Sequence, residues 1–505
     1  MKIWNRYYNI VYKISSLTGT WPYLKPRTRI FRVFLLTLTM LTIVIPQIAY
    51  QYMCKRNDVQ CIFESMTSYL LTAVAALKVY TFQLNTRTIK SFTQHLYVDW
   101  EGLKTPEEYE IMKTYAENSR RFCLIYLVYC LVAVFTFMSM SFIPFILDVI
   151  WPLNESRPIL PPYPGYYFVD TREYFFKIFC HSVIGWEIIM AGIVAHDCMF
   201  VTYVEHVCSM FAMAGFHFEN LFCYHDEEME ITEKSNNTFF RKKISFFVRA
   251  HREALKFAEL LEDTFTMPFA VEMLIATIGM SITLLQITQQ NGDILESVRY
   301  VLYIIGQLIH LFFLSFEGQK LIDHSVQTCD KIYNSTWYEV SMTSQKLIVL
   351  VMMKSVRPSF LSAGKIYIFS LESFTTVTRA ELSRMLLWSF LNETRRSCFE
   401  GSANFDVVLY RARVLSVDRV VSASDDITRA HPSREQYTCL ISPLIPLVIT
   451  SFLIFLQLYT RTLVQLPLQL YTSVNHSVHV PQICMNNMHK KRINYMELCV
   501  HFFGN

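Results

Sequence analysis

The chain has 505 residues, of which 52% are hydrophobic, 15% aromatic and only 17% charged, and its mean hydropathy is +0.26. Soluble domains typically carry about 25% charged residues, so this composition argues against a soluble globular protein and favours a protein of the membrane. The net charge of +4 is small and comes from loops between apolar segments, so it does not suggest a nucleic-acid partner.

Seven apolar segments follow one another in the first three quarters of the chain. A helix needs roughly 20 apolar residues to cross the hydrocarbon core, and in lipid each segment must pair its own backbone polar groups. The sequence therefore predicts an all-α fold, a seven-transmembrane helical bundle, in preference to a soluble all-α protein with long core helices. The predicted spans are 30–53, 62–85, 122–147, 176–204, 265–290, 297–316 and 361–383.

The distribution of basic residues predicts how this bundle is oriented. Residues 1–29 contain six Lys and Arg residues, and the first acidic residue of the chain is Asp58. Short cytoplasmic flanks are enriched in Lys and Arg, and the same bias recurs in alternate loops. We therefore predict a cytosolic N-terminal segment, 1–29, followed by an uncleaved first helix. With seven spans, this orientation is inverted relative to G-protein-coupled receptors.

The outer loops contain two features that can be tested. Of the 13 cysteines, only Cys54 and Cys61 flank an outer loop, where a disulfide is one alternative and two free thiols the other. The sequon Asn154-Glu155-Ser156 lies in the second outer loop. We predict glycosylation of Asn154.

Motifs of known catalytic sites are missing from the sequence. It has no P-loop, no HExxH, no CxxC pair and no GxSxG elbow. The histidines between residues 181 and 217 lack the spacing and partners of a metal site. We therefore expect no enzymatic activity, no cofactor and no metal. Asp197 beside His196 is more simply interpreted as a hydrogen-bonded pair inside the bundle.

Ionisable residues within the predicted spans are costly in lipid and usually face the bundle interior, a cavity or another polar group. For those in spans four to seven we expect contacts between helices or a polar-lined interior. Lys78, near the inner end of the second span, is expected to extend its amine to the membrane interface. The residues in spans four to seven are Glu187, His196, Asp197, Glu272, His310 and Glu372.

Several stretches resemble the insect odorant receptors. Gly19-Thr20-Trp21-Pro22-Tyr23 resembles the element before their first helix, and Pro161-Pro162-Tyr163-Pro164 resembles part of their long second outer loop. The most specific resemblance runs through residues 333–374. It covers residues 1–377 and is closest to tuning-type, hymenopteran-like receptors, since the segment 205–264 is too short for the family's shared co-receptor.

The resemblance implies an odorant receptor that acts in the sense of smell. Such a chain is expected to be the ligand-binding subunit of an odorant-gated, non-selective cation channel in the plasma membrane of sensory neurons. The implied partners are a volatile odorant or hydrocarbon, membrane lipid and the co-receptor in a heterotetramer. Two alternatives stay open: a heptahelical receptor that signals through G proteins, and a multi-pass small-solute transporter, although we detect no half-repeats of the transporter kind.

Candidate site residues follow from the resemblance and from position in the helices. A helical period in the last span places Ile366, Phe369, Ser370, Ser373 and Val377 on one side, facing a central pore, unless this stripe packs against its own bundle. Ligand cavities are mostly apolar and aromatic, with few polar groups, and we expect one in the outer halves of the helices, with ordinary core packing as the alternative for each residue. The candidate contacts are Tyr69, Phe137, Met138, Ser141, Trp186, Met190, Tyr303 and Gln307.

The C-terminal part departs from the family pattern. We assign residues 30–385 to the membrane domain, but the resemblance ends near Thr378 and the chain continues as an atypical tail, 386–505. The tail contains an apolar run at 440–459. We expect a misassigned final exon, and a genuine accessory domain is the alternative.

Overall fold

The computed structural model of the chain describes residues 6–54, 59–151, 157, 159–220, 233–289 and 294–379. All of these belong to a first compact unit, 1–408. The candidate glycosylation site Asn154, the predicted tail 386–505 and its apolar run 440–459 lie outside the described residues.

Nearly all regular structure in these ranges is helical. Short 3-10 turns lie at Met140–Phe142 and Trp337–Glu339, and two strands, β1 (Ser362–Ala363) and β2 (Tyr367–Ile368), form a hairpin. In chain order the helices are α1 (Asn9–Thr18), α2 (Pro26–Met53), α3 (Val59–Leu84), α4 (Thr86–Glu101), α5 (Pro106–Ser139), α6 (Ile143–Ile150), α7 (Phe175–Glu219), α8 (Glu233–Gln289), α9 (Ile294–Tyr333), α10 (Met342–Ser355) and α11 (371–379).

Six helical segments among the described residues are long and apolar enough to cross a membrane. They correspond to the first six predicted spans and confirm an all-α, multi-spanning fold. The last four are 45, 45, 48 and 39 residues long, about twice what a bilayer requires, so these helices continue well beyond the hydrocarbon core. The segments are Pro26–Met53, Cys61–Leu84, Pro106–Ile150, Phe175–Glu219, Phe240–Ile287 and Leu295–Tyr333.

Local sequence signals set the start of α5. The Thr105 hydroxyl accepts a hydrogen bond from the Glu108 amide at 3.2 Å, and the Glu108 carboxylate accepts one from the Thr105 amide at 3.3 Å. Pro106 occupies the first helical position, where a missing N–H costs nothing. This capping box satisfies two backbone donors that a helix start leaves unpaired.

Helix α7 is the central helix of the bundle. It packs against α2, α3, α5, α8 and α9, and every residue from 192 to 211 is buried. Glycine allows close approach at one of these contacts, since a Cβ atom on Gly185 would lie 2.7 Å from Cδ1 of Ile43 in α2. The apolar character of α7 on all sides is what a fully surrounded helix requires.

The first outer loop is closed by a disulfide. Cys54 at the end of α2 and Cys61 near the start of α3 are bonded, with their Cα atoms 6.1 Å apart. The bond ties together the ends of two consecutive membrane helices. Of the two alternatives for these cysteines, the structure contains the disulfide.

The seventh predicted span begins later than the sequence suggested. Residues 361–369 form the β1–β2 hairpin, in which Ser362 pairs with Ile368 and Ala363 with Tyr367. Its turn contains Gly364 and Lys365 at φ of 63° and 61°, a left-handed conformation that cannot continue a right-handed helix. The prediction of a helix from residue 361 was therefore wrong, and α11 begins only after Ser370.

Candidate functional site

Four of the predicted ligand residues lie together in one apolar cluster. Met138 and Trp186 are buried within it, and Phe137 and Met190 are partly buried against it. Its members come from α2, α3, α5, α7 and the loop after α6, and we call them the apolar cluster. They are Leu36, Met40, Ile43, Ala75, Val79, Val134, Met138, Tyr163, Trp186, Ile189 and Ile193.

The second outer loop folds over one side of the apolar cluster. The ring of Tyr163 meets that of Trp186 edge-on, with centroids 6.3 Å apart. The Tyr167 hydroxyl is hydrogen bonded to the Tyr163 hydroxyl and lies 3.1 Å from Nδ1 of His181 in α7. Burial raises the pKa of the Tyr163 and Tyr167 hydroxyls, so both remain neutral donors that hold the loop in place.

Arg299 of α9 anchors the same loop from the other side. Its guanidinium donates to the carbonyl oxygens of Pro161, at 3.1 Å, and of Pro162. The guanidinium carbon also lies 5.3 Å from the ring centroid of Phe137, within range of a cation–π contact. Arg299 therefore connects the loop, α9 and the edge of the apolar cluster.

Tyr303 and Gln307 lie one turn apart on α9. The Tyr303 hydroxyl lies beside Gly279 of α8, where an added Cβ atom would be 3.2 Å from the hydroxyl and 3.5 Å from Leu70 of α3. This second group of predicted ligand residues thus sits where α3, α8 and α9 meet. An added Cβ on the neighbouring Gly306 would have no atom within 4 Å, so this stretch of α9 borders open space.

Some of the buried polar atoms without a hydrogen-bond partner belong to residues of this region, whereas others, such as those of Asn118 and His206, lie elsewhere. Among the described residues, the hydroxyls of Tyr69 and Ser141 and Nε1 of Trp186 have none. Both amide atoms of the buried Gln47 and Gln286 also have none. An unsatisfied buried polar group costs about 1–3 kcal/mol, so these groups are suited to a hydrogen bond with a bound molecule.

Sequence reasoning included Tyr69, Ser141 and Trp186 among the ligand residues but missed Gln47 and Gln286. Both glutamines lie in the outer part of predicted spans and have neutral side chains. The signal that would have found them is an amide within an apolar helix, which needs a partner in lipid as much as a charged group does.

Deeper along the helices, charged side chains bind one another. Nζ of Lys78 lies 2.5 Å from Asp197 and 2.9 Å from Glu272, and Nε2 of His310 lies 2.8 Å from Glu272. Lys78 is buried. The expectation that its amine reaches the membrane interface was wrong, because two carboxylates from other helices surround it.

Two further side chains complete this network. Tyr126 donates to Asp197 at 2.9 Å, and its hydroxyl lies 3.2 Å from Nδ1 of His310. Nδ1 of His196 lies 3.0 Å from Asp197, as predicted for this pair. We call Lys78, Tyr126, His196, Asp197, Glu272 and His310 the ion-pair network; it joins α3, α5, α7, α8 and α9.

The ion-pair network lies next to the candidate ligand residues. On α9, His310 follows Gln307 by one turn, and on α3, Lys78 follows Ala75 of the apolar cluster by one turn. The His310 side chain is 22% exposed, whereas the side chains of Lys78, Asp197 and Glu272 are at most 6% exposed. The network therefore adjoins, along α3 and α9, the region that contains the candidate ligand residues.

The β1–β2 hairpin is held between α8 and α9. The Glu262 carboxylate of α8 accepts hydrogen bonds from the Ser362 amide, at 2.7 Å, and from the Ser362 hydroxyl. The Gly364 amide donates to the carbonyl of Thr266 at 2.9 Å. Phe369, at the end of the hairpin, packs edge-on against Phe269, with ring centroids 5.2 Å apart.

With this geometry described, the chain can be compared with known proteins. The sequence pattern of the family described as 7tm odorant receptor matches residues 58–381. This chain belongs to the 7tm odorant receptor family. Both the family and the fold are those of receptors rather than enzymes. The match ends at residue 381, close to the start of the predicted tail at residue 386.

Known relatives of this receptor are distant in sequence. Odorant receptor 85c of Drosophila melanogaster is 20% identical over 302 residues, 59% of this chain and 71% of that protein. The odorant receptor coreceptor of Ooceraea biroi is 23% identical over 157 residues, 30% of this chain and 32% of the coreceptor. Odorant receptor 67c of D. melanogaster is 22% identical over 183 residues, 35% of this chain and 43% of that protein. The matched segment thus covers about a third of the coreceptor and less than half of odorant receptor 67c.

The fold of this receptor is also that of a solved odorant receptor. The structure of olfactory receptor OR5 from Machilis hrabei in complex with eugenol matches with a TM-score of 0.62 and 12% identity, over 77% of this chain and 99% of that chain. A second structure of OR5 matches with a TM-score of 0.60. At this identity the similarity concerns the fold alone.

The residues predicted to face a pore lie in different environments in this receptor. Ile366 is in the hairpin turn and is 93% exposed, whereas Phe369 is buried inside its own chain. Ser370 caps α11, since its hydroxyl accepts the Ser373 amide at 3.1 Å. The single helical stripe predicted for these residues was therefore wrong at its first three positions, because Ile366, Phe369 and Ser370 all precede the helix. Ser373 and Val377 lie on α11 and are half-buried.

Proposed function

We propose that this receptor is a tuning-type, ligand-binding subunit of an odorant-gated, non-selective cation channel, assembled with the odorant receptor coreceptor in the plasma membrane of sensory neurons. The observation that carries the proposal is the pairing of two regions along the same helices. Unpartnered polar groups border an apolar cluster on one side, and the ion-pair network joins five helices directly beneath it.

The proposed ligand is a volatile, mainly apolar odorant. The predicted contacts Phe137, Met138, Trp186 and Met190 supply aromatic and aliphatic surface in one cluster, and Tyr303 and Gln307 supply polar groups nearby. Sites of this composition bind small apolar molecules by shape and dispersion. A single methylene of the ligand then changes affinity by only about 1–3 kcal/mol.

Helix α9 supports a route from ligand to pore. Along it, Tyr303 and Gln307 lie in the candidate ligand site, His310 in the ion-pair network, and Gly318 against Phe369 at the start of α11. We propose that ligand binding shifts α9 and thereby tilts α11, where Ser373 and Val377 would line the pore. A small tilt suffices to rehydrate a hydrophobic constriction.

Exposed side chains support the proposed contact with membrane lipid. One long helix, α2, exposes a series of large apolar side chains at several turns, each between 44% and 65% exposed. Lipid is the environment in which such a surface is stable. The residues are Ile30, Phe31, Phe34, Leu35, Leu38, Leu41, Ile45 and Ile48.

The proposal is tested by recording from excised membrane patches that contain the full-length chain together with the coreceptor. We expect eugenol and related volatiles to evoke a cation current that persists without GTP on the cytosolic side. Patches with the coreceptor alone are the control. A response that requires GTP would instead support signalling through a G protein, and solute uptake without channel openings would support a transporter.

A further inference from the structure

Trp186 is an unusual group to bury without a partner. Its side chain is 3% exposed and lies in the apolar cluster, yet Nε1–H has no acceptor among the described residues. An indole N–H can only donate, and it usually finds a partner when it is buried. The cluster around Trp186 consists of aliphatic and aromatic side chains, so an acceptor is missing where a donor is present.

Ser141 provides a second, independent group of the same kind. It is 1% exposed and its hydroxyl has no partner in the described part of the chain. Ser141 lies three residues after Met138, in the 3-10 turn Met140–Phe142 that directly follows α5. Met138 and Trp186 are members of the same cluster, so the turn that carries Ser141 follows a helix end that contributes to this cluster.

We propose that the odorant of this receptor carries a hydrogen-bond-accepting oxygen, as in a ketone, ester, ether or alcohol, and that this oxygen accepts the Nε1–H of Trp186. The inference rests on the proposed function and narrows it, because a pure hydrocarbon is no longer the preferred ligand. Ser141 is the second polar contact. The remainder of the ligand fills the space between apolar side chains.

Selectivity follows from the cost of leaving a donor unpaired. A site that offers a buried donor discriminates against an analogue without the matching group, because binding that analogue removes the donor from water without replacing the hydrogen bond. A neutral oxygen suits this environment better than an ionised one, since no member of the apolar cluster is charged and Arg299, at its edge, already donates to the carbonyls of Pro161 and Pro162. We expect a preference of about tenfold, the value of one good hydrogen bond.

The test uses the full-length chain expressed with the coreceptor, and probes with matched carbon skeletons: octane, octan-2-one and octan-1-ol, and ethylbenzene with acetophenone. We expect each oxygenated probe to activate the current at a concentration about ten times lower than its hydrocarbon. In Trp186→Phe, which keeps an aromatic ring and removes the donor, the ratio between the activating concentrations of each hydrocarbon and its oxygenated partner should fall to about one.

Trp151→Phe is the matched control, because Trp151 is 66% exposed and lies outside the apolar cluster. Surface biotinylation measures how much of each variant reaches the cell surface, which requires folding. Ser141→Ala serves as the second variant. Equal activation by hydrocarbons and oxygenated probes, or an unchanged preference in both variants, would overturn the inference and leave the channel proposal intact. A receptor at the surface that responds to none of the probes, nor to eugenol, would instead count against the proposed function itself.

Discussion

A Cβ atom on Gly318 would lie 2.2 Å from the carbonyl oxygen of Phe369. The two residues bring the middle of α9 into direct backbone contact with the segment that leads into α11. A second contact between α9 and α11 is made by Phe312 and Phe374, whose ring centroids are 5.4 Å apart. Under the proposed function, a movement of α9 would displace α11 through this junction.

Gly318→Ala is expected to destabilise this junction. The added methyl group meets backbone rather than a flexible side chain, so the hairpin must shift, at a cost of about 1–3 kcal/mol. The melting temperature of the purified receptor should fall, and the odorant-evoked current should fall with it. Gly306→Ala, on the same helix, is the control: nothing lies within 4 Å of its new Cβ, and alanine favours a helix over glycine by roughly 0.5–1 kcal/mol.

Substitutions in the ion-pair network should have unequal effects. Within the ion-pair network, Lys78 supplies the ammonium group that lies between the carboxylates of Asp197 and Glu272. Lys78→Met leaves Asp197 and Glu272 without their cation and should cost about 3–5 kcal/mol, as does breaking a buried pair. Asp197→Asn leaves one cation with one anion and should cost less. Thermal unfolding in detergent, followed by size-exclusion chromatography, measures the difference.

Lys113→Met is the matched control for Lys78→Met, because Lys113 pairs with Glu110 at 2.8 Å on an exposed helix surface. Exposed pairs contribute about 0–1 kcal/mol, so this variant should unfold like the parent. If Lys78→Met were as stable as Lys113→Met, the network would not hold the helices together.

Glu372 is expected to affect ion conduction. Its side chain is exposed on α11, beside the half-buried Ser373 and on the side opposite Phe374, which is buried against the bundle. A ring of carboxylates near a pore raises the local concentration of cations. Glu372→Gln should lower single-channel cation conductance, and the loss should be largest at low ionic strength, where screening is weak. Equal conductance at all salt concentrations would place Glu372 away from the ion path.

Glycosylation tests the predicted orientation. Asn154 should be modified, because its sequon lies in a loop predicted to face outward, and Asn334-Ser335-Thr336 should not. Glycosidase treatment should shift the mass of the parent chain, and Asn154→Gln should reduce that shift by one glycan, since the tail carries two further sequons at Asn392 and Asn475. A remaining shift that disappears in Asn334→Gln would reverse the assigned topology.

Helix existence was predictable from the sequence, whereas the partners of the polar residues were not. Six spans were found because an apolar stretch of sufficient length is a local property. Lys78 was assigned to the interface because its own neighbours gave no sign of a carboxylate; Asp197 lies 119 residues further along the chain. Only the packing of α3 against α7 and α8 brings these groups together.

The prediction of where the last helix starts was wrong for a different reason. Residues 361–369 are apolar enough to be included in a predicted span, because hydropathy depends on the side chains and not on the backbone conformation. The signal was present in Gly364, whose φ of 63° closes a turn that other residues rarely adopt. Phe137, Met138, Trp186 and Met190 were each predicted as ligand contacts from their positions in the helices, and that role stays a prediction. Gln47 and Gln286 were not predicted, because their neutral side chains carry no charge to mark them as costly in lipid.

The ion-pair network also constrains how this receptor can evolve. Its members depend on one another, so a change at any one of them is penalised unless a second change restores the balance of charge. The neighbouring apolar cluster has no such interdependence, and volume-conserving exchanges there are tolerated at low cost. New odour preferences can therefore arise by substitution in the apolar cluster without a change in the charge balance of the ion-pair network.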